Sequence, residues 1–208
     1  SCASNEKQIL LGIMMYGSDY DEKIMGVRMG NGVPACGQNA FNTWRVCVQP
    51  YTKNVQVLSC PTEDPVRNET NAGLRNQDLP SSYGMNNRFC ACCGLLRWCN
   101  TKNLREPTKQ IVFGDWQNVD ANIQCHPQQA ATWGCFRQPH NSGANYAFLD
   151  GHVKWQRAEQ TIDPDWNWMT YNPADVGGGG TVPGSWSNNR RTEARDRVAL
   201  WRQRHPND

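Results

Sequence analysis

A chain of 208 residues with 38 % hydrophobic content is long enough for one domain with an ordinary core, and a net charge of +2 offers no case for nucleic acid or an anionic membrane as partner. Its ten cysteines, Cys2, Cys36, Cys47, Cys60, Cys90, Cys92, Cys93, Cys99, Cys125 and Cys135, are even in number and all precede residue 136. That usage points to a disulfide-rich protein of an oxidising, extracellular compartment, and it leaves the pairing open.

In chain order, the spacing of Ile9, Leu10, Ile13 and Met14 predicts a helix from Cys2 to near Ser18, with that stripe packed on a sheet. The apolar stretch Ile9 to Met15 is interrupted by Gly12 and is too short to cross a bilayer, and no stretch reads as a signal peptide or anchor. The turn-rich Asn31-Gly-Val-Pro-Ala-Cys-Gly37 leads to a second helix, on which Phe41, Trp44, Val48 and Tyr51 share one face and Pro50 limits the far end. These aromatics read as core rather than as a ligand platform. Val55-Gln-Val-Leu58 reads as a short strand ended by Cys60-Pro61. Residues 61 to 81 read as a surface loop carrying Asn68-Glu-Thr70, a sequon of only three residues and therefore weak.

Cys90-Ala-Cys92-Cys93 with Cys99, and Cys125-His126 beyond, could supply thiolate and imidazole to zinc, but the spacing is not a paired C-x-x-C framework and disulfides suit the compartment better. Vicinal Cys92 and Cys93 should reach different partners, and no feature marks an exposed, low-pKa catalytic thiol. Gln110-Ile-Val-Phe113 reads as a buried strand capped by Asp115, followed by a polar loop from 116 to 139 stapled by Cys125 and Cys135.

The next stretch, His140-Asn-Ser-Gly-Ala-Asn-Tyr-Ala-Phe-Leu-Asp150-Gly151-His152-Val-Lys-Trp155, alternates apolar and polar positions on either side of Asp150-Gly151. Tyr146, Phe148, Val153 and Trp155 predict a β-hairpin with one buried row, Trp155 included, and Asp-Gly suits a type I′ turn. Asp150 is then a turn residue, and His140 a loop histidine bonded to nearby backbone. Paired as a general base and its orienter, His140 and Asp150 lack any recognisable nucleophile.

The spacing of His140, nine residues, then Asp150-Gly151 resembles the signature of the bacterial prepilin-type H-X9-DG proteins, a group related to type IV pilins and to type II secretion pseudopilins. Ser1 to Tyr16 followed by Asp19-Tyr20-Asp21 looks like the second half of the long pilin helix. Trp44 to Asn54 with Val57-Leu58-Ser-Cys60-Pro61, then Ser82-Tyr-Gly-Met-Asn86 and Glu106 to Asp115, match later blocks in the expected order. The resemblance implies a pilin-like α+β fold, an N-terminal helix packed on an antiparallel sheet, with His140, Asp150 and Gly151 as structural signature residues. In that family a hydrophobic half-helix precedes the helix seen here, and either processing or trimming accounts for a chain that opens at Ser1.

Residues 1–156 are expected to form the globular domain and 157–208 a C-terminal extension, hinged at Gly177-Gly-Gly-Gly180. The extension carries Trp166, Trp168 and Tyr171, and its basic end spaces Ala194, Val198 and Trp201 as in a short amphipathic helix. Trp166, Trp168, Tyr171 and Trp201 are the interface candidates. Asp163, Asp165 and Asp175 are candidate calcium ligands, since some related pseudopilins carry calcium in a late loop. The spacing is no EF-hand, and solvated turn carboxylates account for it better. No cofactor is certain.

No nucleophile elbow, phosphate-binding loop, H-E-x-x-H or dinucleotide fingerprint occurs, so no enzyme and no small-molecule substrate are expected. The resemblance instead implies a secreted structural subunit that self-assembles into a filament or tube, a homopolymer with no membrane or nucleic-acid partner in this form. Two alternatives stand beside it: the soluble head of a non-polymerising pseudopilin of a secretion or DNA-uptake system, and a secreted carbohydrate-binding or surface-binding module using the late tryptophans.

Overall fold

The structure, a computed structural model, describes residues 2–30, 33–34, 42–63, 79–80, 82–86, 106–116, 122–123 and 138–161, with Thr101, Asp196, Ala199 and Gln203 besides. Its first helix, α1, is Cys2–Asp19, within a residue of the expected span. The row Cys2, Glu6, Ile9, Ile13 and Tyr16 advances by fours and threes, and with Leu10 it is buried. Met14 departs from expectation: it belongs to the outward face and is exposed.

A small sheet follows, in which β1 (Arg28–Gly30) pairs antiparallel with β2 (Val33–Pro34) on one side and β3 (Asn42–Thr43) on the other. The second helix, α2 (Trp44–Thr52), continues through Pro50 instead of ending there. Pro50 removes one amide donor, but the turn closes beyond it, where left-handed Lys53 donates its backbone N–H to the Gln49 carbonyl at 2.8 Å. Trp44 and Val48 are buried in the core as expected, with Trp44 against Phe113. Helices α1 and α2 meet closely at Gly12, where a β-carbon would lie 2.8 Å from Val48 Cγ2 and 3.1 Å from Thr52 Cγ2. A larger side chain there must push the helices apart.

Val55–Leu58 is a 3₁₀ turn, not a strand. The Asn54 side chain accepts the Gln56 amide at 2.9 Å, so the segment curls on leaving α2 and buries Val57 and Leu58 beneath α1. Periodicity misleads here because Val-Gln-Val-Leu is short enough to satisfy either geometry.

The main sheet is β4 (Tyr83–Asn86), β5 (Ile111–Asp115), β6 (Asn122–Ile123), β7 (Ala144–Phe148) and β8 (Val153–Gln156), in the order β6-β4-β5-β7-β8. Strands β4, β5, β7 and β8 run antiparallel to their neighbours, and only the two-residue β6 is parallel to β4. A register shift in β5 between Ile111 and Phe113 admits the consecutive Val112 and Phe113 to the same core. Helix α1 lies against β7, β8, α2 and the 3₁₀ turn, giving an α+β fold with an N-terminal helix on a four-strand antiparallel sheet.

The hairpin of β7 and β8 has the expected register, with Ala147 opposite Val153, but not the expected turn. Type I′ geometry would need positive φ at both Asp150 and Gly151, and within the loop only Gly151 has it, at 97°. The Gly151 amide donates to the Phe148 carbonyl and the Phe148 amide to the His152 carbonyl, closing a three-residue loop. Trp155 is 42 % exposed on edge strand β8 rather than in the core. Packing continues past Gln156: Ala158 and Thr161 are buried in a 3₁₀ turn, and Ala158 N–H donates to Gln138 Oε1 at 3.1 Å. Further on, Asp196, Ala199 and Gln203 are helical and exposed, one outward face at spacings of three and four.

Candidate functional site

Where α1 begins, the core turns polar. Cys2 is bonded to Cys60, the residue that follows the 3₁₀ turn and Ser59, with Cα atoms 5.0 Å apart. Asn5 Nδ2 donates to the Ser59 carbonyl at 2.9 Å, fixing the same segment a turn further along. Glu6 then stands in the buried row where an apolar residue would ordinarily fall, and no donor reaches either of its oxygens.

Facing Glu6 is Asp115, the buried last residue of β5. Asp115 Oδ2 accepts the Asn145 amide at 2.6 Å and its Nδ2 at 3.0 Å, and Oδ1 has no donor. Burial pushes the Glu6 carboxyl well above the usual carboxylate range, and the Asp115 charge and hydrogen bond push it further. Two facing carboxylates repel; one proton shared between them lets Glu6 donate to Asp115 and lifts that repulsion, with one Glu6 oxygen still lacking a donor. Beside them, burial and then the Glu6 charge raise the Tyr83 phenol far above its ordinary value.

The third member comes from a tight turn. His140 and Gly143 exchange backbone hydrogen bonds at 2.9 and 3.1 Å, and the two residues between them, Asn141 and Ser142, have φ of 53° and 58°. This is the type I′ geometry expected at Asp150-Gly151, found instead on two residues with side chains, where the left-handed region costs about 1 kcal/mol or more per residue. Trp155 secures it: the indole covers Gly143 so closely that a β-carbon would collide with the ring, and Nε1 donates to the His140 carbonyl at 2.7 Å.

Held in this way, the His140 ring reaches residues distant in the sequence. Its Nε2 lies 3.4 Å from Asp115 Oδ2 and 3.7 Å from Cys60 Sγ. Asp150 plays no part: its Oδ1 accepts the His152 amide at 3.1 Å and meets His152 Nδ1 at 2.6 Å, the work of a turn residue. His140 and Asp150 are therefore not a base and its orienter. Gly151 instead touches α1, since Lys7 Nζ donates to its carbonyl and Met14 Sδ lies against it. The two ends of the His140 to Gly151 stretch thus clasp α1 at the disulfide and at Lys7.

Glu6 and Asp115 are both buried, while His140 beside Asp115 keeps 18 % of its side chain exposed. Such a cluster can hold one proton and fix three segments. Among the described cysteines only Cys47 is a free thiol, although it counted among the disulfide candidates. Burial pushes it up to about 11, which makes it a poor nucleophile.

Sequence reasoning missed Glu6 altogether and took Asp115 only for a strand cap. The signal for Glu6 was present: extending the row Tyr16, Ile13, Ile9 backward by three lands on it, and by four more on Cys2. Cys36, Cys90, Cys92, Cys93, Cys99, Cys125, Cys135, the interface candidates Trp166, Trp168, Tyr171 and Trp201, the calcium candidates Asp163, Asp165 and Asp175, the glycine hinge at 177–180 and the sequon at Asn68 lie outside the described residues. No helix of the described residues is long and apolar enough to cross a membrane. Compared with protein-family models, curated proteins and solved structures, the chain shows no match.

Proposed function

We propose that this chain is an extracellular structural subunit with a pilin-like body, which self-assembles into a filament or tube. The observation that carries the reading is the outer face of α1. Leu11, Met14 and Met15 lie three and four residues apart on the side away from the buried row, with Leu11 49 % and Met15 54 % exposed. A run of large apolar side chains on one helix face suits contact with another copy. In the resembling family the hydrophobic half-helix that precedes the one seen here bundles the subunits, so assembly through the outer face of α1 would be a different contact. The buried Cys2–Cys60 disulfide supports an oxidising compartment, and edge strand β8, with Lys154 exposed, offers a further assembly edge.

Electron microscopy of protein isolated natively without reductant tests the proposal. Regular filaments or tubes are the expected result, and the double substitution Leu11→Glu with Met15→Glu should leave folded, dispersed subunits. Deleting residues 177–208 separates the roles: polymer that persists after deletion but not after the helix substitutions assigns assembly to α1. Wild-type protein that remains a dispersed monomer at every concentration tried would sink the reading in favour of a pseudopilin head.

A further inference from the structure

We propose that reduction of the Cys2–Cys60 bond converts this cluster into a four-coordinate site for zinc, with Cys2 Sγ, Cys60 Sγ, His140 Nε2 and Asp115 Oδ2 as ligands. The two sulfurs and the imidazole nitrogen already lie within 4.8 Å of one another. A tetrahedral zinc site asks for about 3.3 Å between nitrogen and oxygen ligands and about 3.6 Å between sulfur and nitrogen ligands. The observed separations are 3.4 Å for His140 Nε2 to Asp115 Oδ2 and 3.7 Å for His140 Nε2 to Cys60 Sγ. The sulfurs must part to about 3.8 Å, which side-chain rotation from Cα atoms 5.0 Å apart supplies, and the Asp115 carboxylate, outside the 4.8 Å cluster of the other three, must close on them as the metal binds.

Electrostatics independently favours a cation. Asp115 Oδ1 and both oxygens of Glu6 are buried without a donor, so the opened site would place two sulfurs beside an excess of acceptors. A divalent ion binds the thiolates and Asp115 directly and offsets their negative charge. Mixed sulfur and imidazole ligands select zinc over calcium or magnesium, which take oxygen. Asn145 would serve the site from behind, since its two donors already orient the Asp115 carboxylate.

The chemistry balances with an external dithiol. It gives two electrons and two protons to the sulfur–sulfur bond and is itself oxidised to a disulfide, leaving Cys2 and Cys60 as thiols. Zinc binding then releases those two protons to solvent. The oxidised chain has no free thiolate at this place, so metal binding reports the redox state. The site does not depend on the assembly reading.

The test uses the full chain, reduced anaerobically with a dithiol, freed of reductant and titrated with cobalt(II) as a spectroscopic substitute for zinc. Reduced wild type should bind one more ion per chain than reduced His140→Ala, or bind it about a hundredfold more tightly or better, and His140→Cys should restore the ion with an added thiolate-to-cobalt band. Equal stoichiometry and affinity in wild type and His140→Ala overturns the proposal, because the metal then sits on other cysteines. As a second measurement, zinc should raise the thermal midpoint of the reduced wild type but not of reduced Cys60→Ser. If zinc neither raises that midpoint nor restores the near-ultraviolet circular dichroism of a reduced chain that has unfolded, the site does not exist.

Discussion

Ile9, Leu10, Ile13 and Tyr16 hold the second half of α1 by apolar burial against α2 and the sheet, whereas Cys2 and Glu6 hold the first half through a covalent bond and a carboxyl pair. Dispersion and hydrophobic burial at one end depend little on pH or redox state. Bonds at the other end depend on both. One helix therefore combines a passive anchor with a conditional one.

The strongest way to break the conditional anchor is Cys60→Ala. Opening a loop of 58 residues should cost about 4 kcal/mol in the chain-entropy account, and denaturant unfolding followed at equilibrium measures it. Ile13→Ala attacks the passive anchor and should cost about 3 kcal/mol through lost burial and the cavity left behind, with no change in how stability depends on reductant. A loss for Ile13→Ala that disappears in the reduced protein would show that the two ends are not independent.

Glu6→Gln sharpens the comparison in the opposite direction, since it should stabilise. Glu6 is raised in the folded state, so native protein binds its proton more tightly than unfolded chain does. Stability is then fully present below the ordinary carboxylate pKa and is lost as pH rises from there toward the raised value. The variant should gain about 1–3 kcal/mol at neutral pH, match wild type near pH 4, and flatten the profile between. Thermal melts across that range decide it; an unaltered slope would mean that Glu6 is not the titrating group. The smallest expected effect belongs to Leu11→Glu with Met15→Glu, which touches neither anchor and should change stability by no more than about 1 kcal/mol for the pair while altering association. Analytical ultracentrifugation beside a melt separates the two readouts.

The parts of the fold that repeat were legible in the sequence. The span of α1, the buried face of α2, the strand at Ile111 and the hairpin register all follow from periods of 3.6 or two over enough residues to be distinctive. Val55–Leu58 failed because four residues are too few to separate a strand from a 3₁₀ turn, and the deciding contact was the Asn54 side chain. Trp155 failed for a different reason. Alternation assigns it a face of the hairpin, but whether that face is covered depends on what packs there, and here the indole is used to cover Gly143.

The candidate site was half legible. His140 was singled out and Asp150 was rightly read as a turn residue, which His152 satisfies locally, but the carboxylate that His140 meets was not foreseen. Asp115 reaches His140 only through the pairing of β5 with β7, a long-range relation that no local pattern carries. Glu6 needed the buried row of α1 to be followed past its apolar members.

The bond from Cys2 to Cys60 also has a mechanical meaning. Tension applied near the start of the chain passes straight across the cystine to the segment after the 3₁₀ turn, bypassing everything between, so α1 cannot be peeled away from its first residue. Pulled from its ends, the oxidised molecule should withhold the 58-residue loop that the reduced molecule pays out, a difference of about 200 Å in extended length.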